Sequence, residues 1–251
     1  MKTKAIWEYI VIGTEIRYLQ DVQLNLPIFG GEFVESNIKR LISNIEKLNL
    51  DVTYRACGGL KEFLKELEQH RERNKMDALM CNTLKEELKL VRHTLAAETK
   101  GKYAFFTTDK KYDVEKLLDK IEKIFSPNIF DSLPTMAKQD FSEAGKCIAF
   151  ERATAAAFHI LRATEVIVRL YYQKYLRKKP EGKTWGQLLN ELKNKNTGKK
   201  PSPVILNHLV NIKDSFRNPT QHPDKNYDIY EVQDLLSVCI DVVNKMMGEL
   251  N

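Results

Sequence analysis

Between residues 216 and 223 the chain reads Phe216-Arg217-Asn218-Pro219-Thr220-Gln221-His222-Pro223, a concentration of hydrogen-bonding side chains between two apolar stretches. An arginine and a histidine this close suit phosphodiester chemistry. The guanidinium is always charged, and its planar fork matches phosphate oxygens and the negative charge that develops on them. An imidazole, with an unperturbed pKa of about 6.5, can take or give a proton near neutral pH. In an unbroken helix residues 217 and 222 stand about 140° apart around the axis and point away from each other. Pro219 biases Asn218 away from helical dihedrals and removes a ladder donor, so a bend can turn Arg217 and His222 toward one cleft. Asn218 and Thr220 are the supporting polar side chains, with Asn218 placed to orient one of the pair. The competing reading is that Arg217 and His222 cap helices and hydrogen-bond across an interhelical turn.

Two further groups of residues bear on the same chemistry. Arg162, Glu165 and Arg169 are spaced three and four apart, which sets them on one side of a helix. They form either an ion ladder that fixes the helix in its bundle or, through Arg162 and Glu165, partners of the Arg217 and His222 site. His159 lies among apolar neighbours and is expected to be a satisfied core histidine. A lysine-rich run follows, from Lys174 to Lys200, in which Lys178, Lys179, Lys183, Lys199 and Lys200 are candidate phosphate-backbone contacts, with a solvated face that binds nothing as the alternative. Trp185 can stack a base beside that run or pack a short helix onto the bundle.

Other chemistries find no sequence support. The chain has no H-E-x-x-H, no Walker-type phosphate loop, no G-x-G-x-x-G and no G-x-S-x-G. The cysteines Cys57, Cys81, Cys147 and Cys239 are too scattered for a metal cluster or a disulfide framework and read as reduced thiols. No metal and no cofactor is expected.

The elements that must position these residues are helices. Across 251 residues, 43% are hydrophobic and 29% charged, a mixture that folds and that can form one or two domains. Apolar residues recur at helical spacing from Lys2 to about Gln20 and from Glu32 to Leu48. Gly58-Gly59 separates these from a charged run over Lys61 to Lys75. Thr83 and Glu86 have capping-box spacing ahead of another helix. Tyr103 to Thr108 reads as a short extended piece, and Tyr112 to Phe125 returns to helical spacing. Pro127 and Pro134 interrupt the chain, which places a boundary there and divides it into domains 1–135 and 136–251. Beyond it, Ala144 to Leu176 contains no proline and is apolar on several sides, as expected of one central helix roughly 50 Å long. Thr184 to Lys193, Ser202 to about Phe216 and Tyr230 to Leu250 follow as three shorter helices. The formal charge of +6 is uneven: residues 1–143 hold 23 basic and 23 acidic side chains, and residues 144–251 hold 17 and 11. No signal peptide or membrane span is apparent, and a cytoplasmic protein is expected.

With its Arg-x4-His spacing, the intervening Asn218 and Pro219, and a position between the last two helices of a compact bundle, the segment resembles the motif of HEPN ribonucleases. The resemblance covers about 108 residues, from Ala144 to Asn251. It implies a HEPN-like four-helix bundle, so that, with the helical spacing of the preceding residues, the expected fold is all-α, the bundle following a mostly helical N-terminal domain whose role, sensor, regulatory or docking, is unknown. It further implies a symmetric homodimer that brings two motifs together and acts as a metal-independent endoribonuclease. Arg217 and His222 are then the catalytic pair, and attack by the 2′-hydroxyl leaves a 2′,3′-cyclic phosphate and spares DNA. Effectors of bacterial stress response and phage defence carry this domain, and an antitoxin or regulatory protein is a candidate partner. Toxins of the family often carry a tyrosine two residues after the histidine as a modification target. Position 224 here is Asp224, so that mode of control is not expected, although Tyr227 and Tyr230 are close by. A non-catalytic HEPN-like module that binds RNA or a protein is the alternative function.

Overall fold

The computed structural model describes residues 6–220 and 225–250. The protein is all-α; among the described residues the only β-type pairing is an isolated bridge between Pro27 and Lys75. The chain divides into two compact units, Met1–Ala104 and Phe105–Asn251.

In the first unit α1 (Ile6–Gln20) packs on α2 (Val34–Lys47) and α5 (Ala78–Thr99), with α3 (Asp51–Ala56) and α4 (Gly58–Gln69) completing the core. The buried face of α1 is Ile12, Glu15, Ile16 and Leu19, whereas Ile6, Tyr9 and Ile10, which share its helical spacing, are exposed. Gly58 and Gly59 begin α4 instead of separating helices. The start of α5 is set by Asp77, whose carboxylate accepts from the Met80 N–H at 2.8 Å, six residues before the capping-box spacing at Thr83 predicts. The stretch 102–110, expected to contain a short extended piece, has no regular structure, and Tyr103, Phe105 and Phe106 on it are exposed.

The second unit contains α6 (Val114–Asp119), a 3-10 turn (Ile121–Ile124), α7 (Ile129–Ser132), α8 (Thr135–Ala149), α9 (Ala153–Leu176), α10 (Trp185–Lys193) and α11 (Pro203–Ile212). A π-turn (Lys213–Arg217), α12 (Asn218–Thr220) and α13 (Ile229–Leu250) follow. The boundary therefore lies about thirty residues earlier than the prolines suggest. Pro127 and Pro134 do stop helices, but Phe125 stacks on Phe130 and Phe141, and Leu117, Ile121 and Leu133 are buried in the second core. Burial of apolar surface, not helix continuity, decides which unit owns this segment. The charge division changes with it: residues 1–104 hold 17 basic and 15 acidic side chains, and residues 105–251 hold 23 and 19.

The single central helix expected over Ala144 to Leu176 is instead a hairpin of α8 and α9. Glu151 adopts a left-handed conformation (φ 59°). The Glu151 N–H donates to the Ile148 carbonyl at 3.1 Å and the Arg152 N–H to the Cys147 carbonyl at 2.7 Å, which is the Schellman pattern that ends a helix. Such a cap usually needs glycine; here the Glu151 carboxylate is held by Lys110 at 3.0 Å and by Thr108. At 24 residues α9 is about 36 Å long. It packs on α8, α10 and α13, and alanines 156, 157 and 163 on its buried face permit close approach. Phe158 and Leu170, which look like core residues, remain exposed. At Gly145 the α8 backbone lies close to that of α6: a β-carbon there would stand 2.3 Å from the Leu117 carbonyl oxygen. Among the described residues no helix is long and apolar enough to cross a membrane.

Candidate active site

One face of α9 carries His159, Arg162 and Glu165, at the helical spacing that sets them in a row. Opposite stands Asp140 of α8, with its side chain only 3% exposed. Both arms of Arg162 donate to this carboxylate, Nε to Oδ2 at 2.7 Å and an Nη to Oδ1, and His159 Nδ1 lies 2.9 Å from Oδ1. Burial acts to raise the Asp140 pKa, but the hydrogen bonds from Arg162 and His159 outweigh it and hold the carboxyl below its ordinary value. Asp140 is therefore ionised at neutral pH. His159 is not a core histidine, since its side chain is 29% exposed.

Arg217 comes to the same place from the π-turn. The turn closes through the Asn218 N–H to the Lys213 carbonyl, an i to i−5 bond. A proline ring in a regular helix clashes with the carbonyl four residues before it, and the wider turn just ahead of Pro219 accommodates that conflict. The helix thus continues through Asn218, whose φ and ψ of −63° and −50° are helical, in place of the expected bend at that residue. Arg217 lines a cleft of about 450 Å³ together with Phe158, His159, Leu161, Arg162 and Glu165. Among the described residues its guanidinium has no hydrogen-bonding or ion-pair partner.

The structure therefore brings Arg217, Arg162 and Glu165 together. His222 lies outside the described residues. Asn218 is exposed and reaches back to Asp214 Oδ1 at 3.5 Å instead of lining the cleft. Thr220 is a buried anchor: its hydroxyl donates to the Phe216 carbonyl at 2.6 Å and lies 2.7 Å from the Tyr227 hydroxyl, which donates to the same carbonyl at 3.0 Å. Tyr227 is consequently buried, whereas Tyr230 is exposed. The expected Arg162, Glu165, Arg169 ladder is broken. Arg162 turns to Asp140, while Arg169 holds Glu165 at 2.6 Å and donates to the Pro180 and Lys183 carbonyls at 3.0 Å, tying down the loop after α9.

The five candidate lysines separate into three sets. Lys183 is bound to Glu191 Oε1 at 2.5 Å and lies over the Tyr172 ring, with Lys178 4.0 Å from the same carboxylate. Glu191, held below its ordinary pKa first by Lys183 and then by the Tyr172 hydroxyl, neutralises this end of the run. Lys179 is exposed and has no partner among the described residues. Lys199 and Lys200, with Lys193 and Lys195, ring a separate pocket of about 460 Å³ that Tyr175, Ser202 and Glu249 also line. Trp185 is fully buried and packs α10 onto the core, so it is not a base-stacking platform.

Asp140 escaped the sequence reading, because its pairing with His159 and Arg162 depends on the α8/α9 hairpin and no local motif marks it. Among the described residues, no group of three or more His, Cys, Asp and Glu is placed to hold a metal ion. No family model matches the chain, no curated protein matches it, and no solved structure does.

Proposed function

We propose that the second unit is a HEPN-like, metal-independent endoribonuclease module that cleaves RNA by attack of the 2′-hydroxyl, with Arg217 and His222 as its catalytic pair. The observation that carries this reading is the guanidinium of Arg217, which has no partner among the described residues and lines a cleft with Arg162 and His159. The Arg217 guanidinium beside an imidazole supplies phosphate binding, charge stabilisation and proton transfer in one place. Arg217 holds the scissile phosphate, and His222, five residues on, exchanges a proton with the 2′-hydroxyl or the 5′-oxygen. In the family the chain resembles, two such motifs meet across a homodimer, and this protein is proposed to do the same. The proposed setting is bacterial stress response or phage defence, under the restraint of an antitoxin or regulatory protein.

The test is cleavage of a defined RNA in excess EDTA by the wild type, Arg217→Ala and His222→Ala, with the product ends identified. A 2′,3′-cyclic phosphate from the wild type, its loss in both variants and no cutting of matched DNA are expected. Equal cleavage by all three proteins, or none by the wild type, would overturn the proposal. The separate Lys193, Lys195, Lys199 and Lys200 pocket favours a second reading, RNA binding without cleavage, which predicts salt-dependent binding by a protein that leaves the RNA intact.

A further inference from the structure

Resting on the reading of this cleft as an RNA-cleaving site, we propose that His159 is a second catalytic histidine, the general base that takes the 2′-hydroxyl proton, and that Asp140 is its positioning residue. The site so defined takes a single-stranded ribonucleotide segment with one phosphodiester at Arg217.

The argument starts from hydrogen-bond capacity. Asp140 is buried and ionised, so it can only accept. His159 Nδ1, 2.9 Å from Asp140 Oδ1, must then carry the ring proton in the neutral imidazole. This fixes the tautomer and leaves Nε2, turned away from Asp140, with its lone pair free. The ring is partly exposed and lines the same cleft as Arg217. A histidine held for packing alone has no need of a buried carboxylate that fixes both its tautomer and its plane. Arg162, on the next turn of α9, occupies the remaining capacity of Asp140 with both arms, so the carboxylate cannot swing away from the ring.

The step balances without any further reagent. His159 Nε2 takes the proton of the 2′-hydroxyl while the 2′-oxygen forms a bond to phosphorus and the bond from phosphorus to the 5′-oxygen breaks. The imidazolium of His222 gives its proton to that leaving oxygen. Each histidine ends in the state from which the other started, and hydrolysis of the cyclic phosphate or exchange with water resets them. The charged groups around the His159 ring are Asp140 and Glu143 of α8, Arg162 and Glu165 of its own helix, and Arg217 of the π-turn.

The experiment measures single-turnover cleavage in EDTA for the wild type, His159→Ala, His159→Asn, His222→Ala and Asp140→Asn. Two substrates are used, ordinary RNA and RNA with sulfur in place of the bridging 5′-oxygen. His159→Asn retains an N–H for Asp140 but has no basic nitrogen, so it keeps the test valid should His159→Ala fail to fold. Both His159 variants are expected to be slowed about a hundredfold or more. Added imidazole should restore part of the His159→Ala rate, a response that a purely structural role would not give. The sulfur leaving group needs no proton, so it should rescue His222→Ala and not His159→Ala. For Asp140→Asn the acidic limb of the pH profile, which the general base sets, should move while KM stays within a few-fold. Wild-type cleavage with His159→Asn within threefold of it would overturn this inference alone. Absence of wild-type cleavage would overturn the nuclease reading and this inference with it.

Discussion

The Asp140 cluster makes a prediction about stability whose sign depends on which end is cut. Arg162→Ala removes both donor arms and leaves a carboxylate with 3% side-chain exposure relying on His159 alone. Hydrogen bonds to a charged group contribute roughly 1.5–3 kcal/mol each when the partner is left buried. Arg162 itself is 62% exposed, so water screens the ionic part of the pairing. A loss of about 2 kcal/mol is expected. Asp140→Ala cuts the same bonds but leaves the guanidinium free to turn into water and removes the buried charge, so it should cost only about 1 kcal/mol. The double variant should resemble Asp140→Ala, which makes it more stable than Arg162→Ala and gives a coupling of about 2 kcal/mol. The assay is urea unfolding in a Trp7→Phe background, where buried Trp185 reports the second unit alone. A pH series adds a second check. The folded carboxyl of Asp140 lies below its ordinary value of 3.8, so its stabilising contribution is complete above that pH and disappears as pH falls through the folded value. The gap between wild type and Arg162→Ala should therefore narrow below about pH 4. A double variant less stable than Arg162→Ala, or a gap unchanged down to pH 3, would refute the reasoning.

Four other outcomes follow from the packing and the charges. Gly145→Ala should destabilise the second unit by about 1–3 kcal/mol in the same urea assay, because its β-carbon meets the Leu117 backbone and outweighs the roughly 1 kcal/mol helix preference for alanine. At Gly59 the obstacle is the mobile end of Glu87, so Gly59→Ala should be neutral or slightly stabilising. Tyr227→Phe should cost about 1–2 kcal/mol by thermal unfolding, since it strips the hydroxyl that braces Thr220 and the Phe216 carbonyl. If the lysine pocket contacts RNA, Lys199→Ala and Lys200→Ala should each lower the slope of log affinity against log salt by about 1, whereas Lys183→Ala, already neutralised by Glu191, should leave it unchanged.

Periodicity sufficed for most helices, because an amphipathic stripe reports directly on which face is buried. It failed where the deciding contact was remote. Nothing in Phe150-Glu151-Arg152 announces a helix end, because a left-handed glutamate is unfavourable locally and persists only with Lys110 and Thr108 holding its side chain. Without that break Asp140 has no visible relation to His159, and His159 reads as core. Pro219 conflicts with a regular helix, and the chain resolves this by widening the preceding turn instead of bending at Asn218 as the sequence predicts. Lys183 and Lys199 look equivalent in a run of basic residues, and only the fold reveals that one of them is already spoken for by Glu191.

The turn at Glu151 also orders events as the chain is made. Asp140 and His159 are nineteen positions apart, so they can meet as soon as α9 has left the ribosome. Arg217 is synthesised 55 residues after Arg162, a delay of about 3–11 s at roughly 5–20 residues per second. A nascent chain can thus pair Asp140 with His159 for seconds before Arg217, which lines the same cleft from the π-turn, has been made.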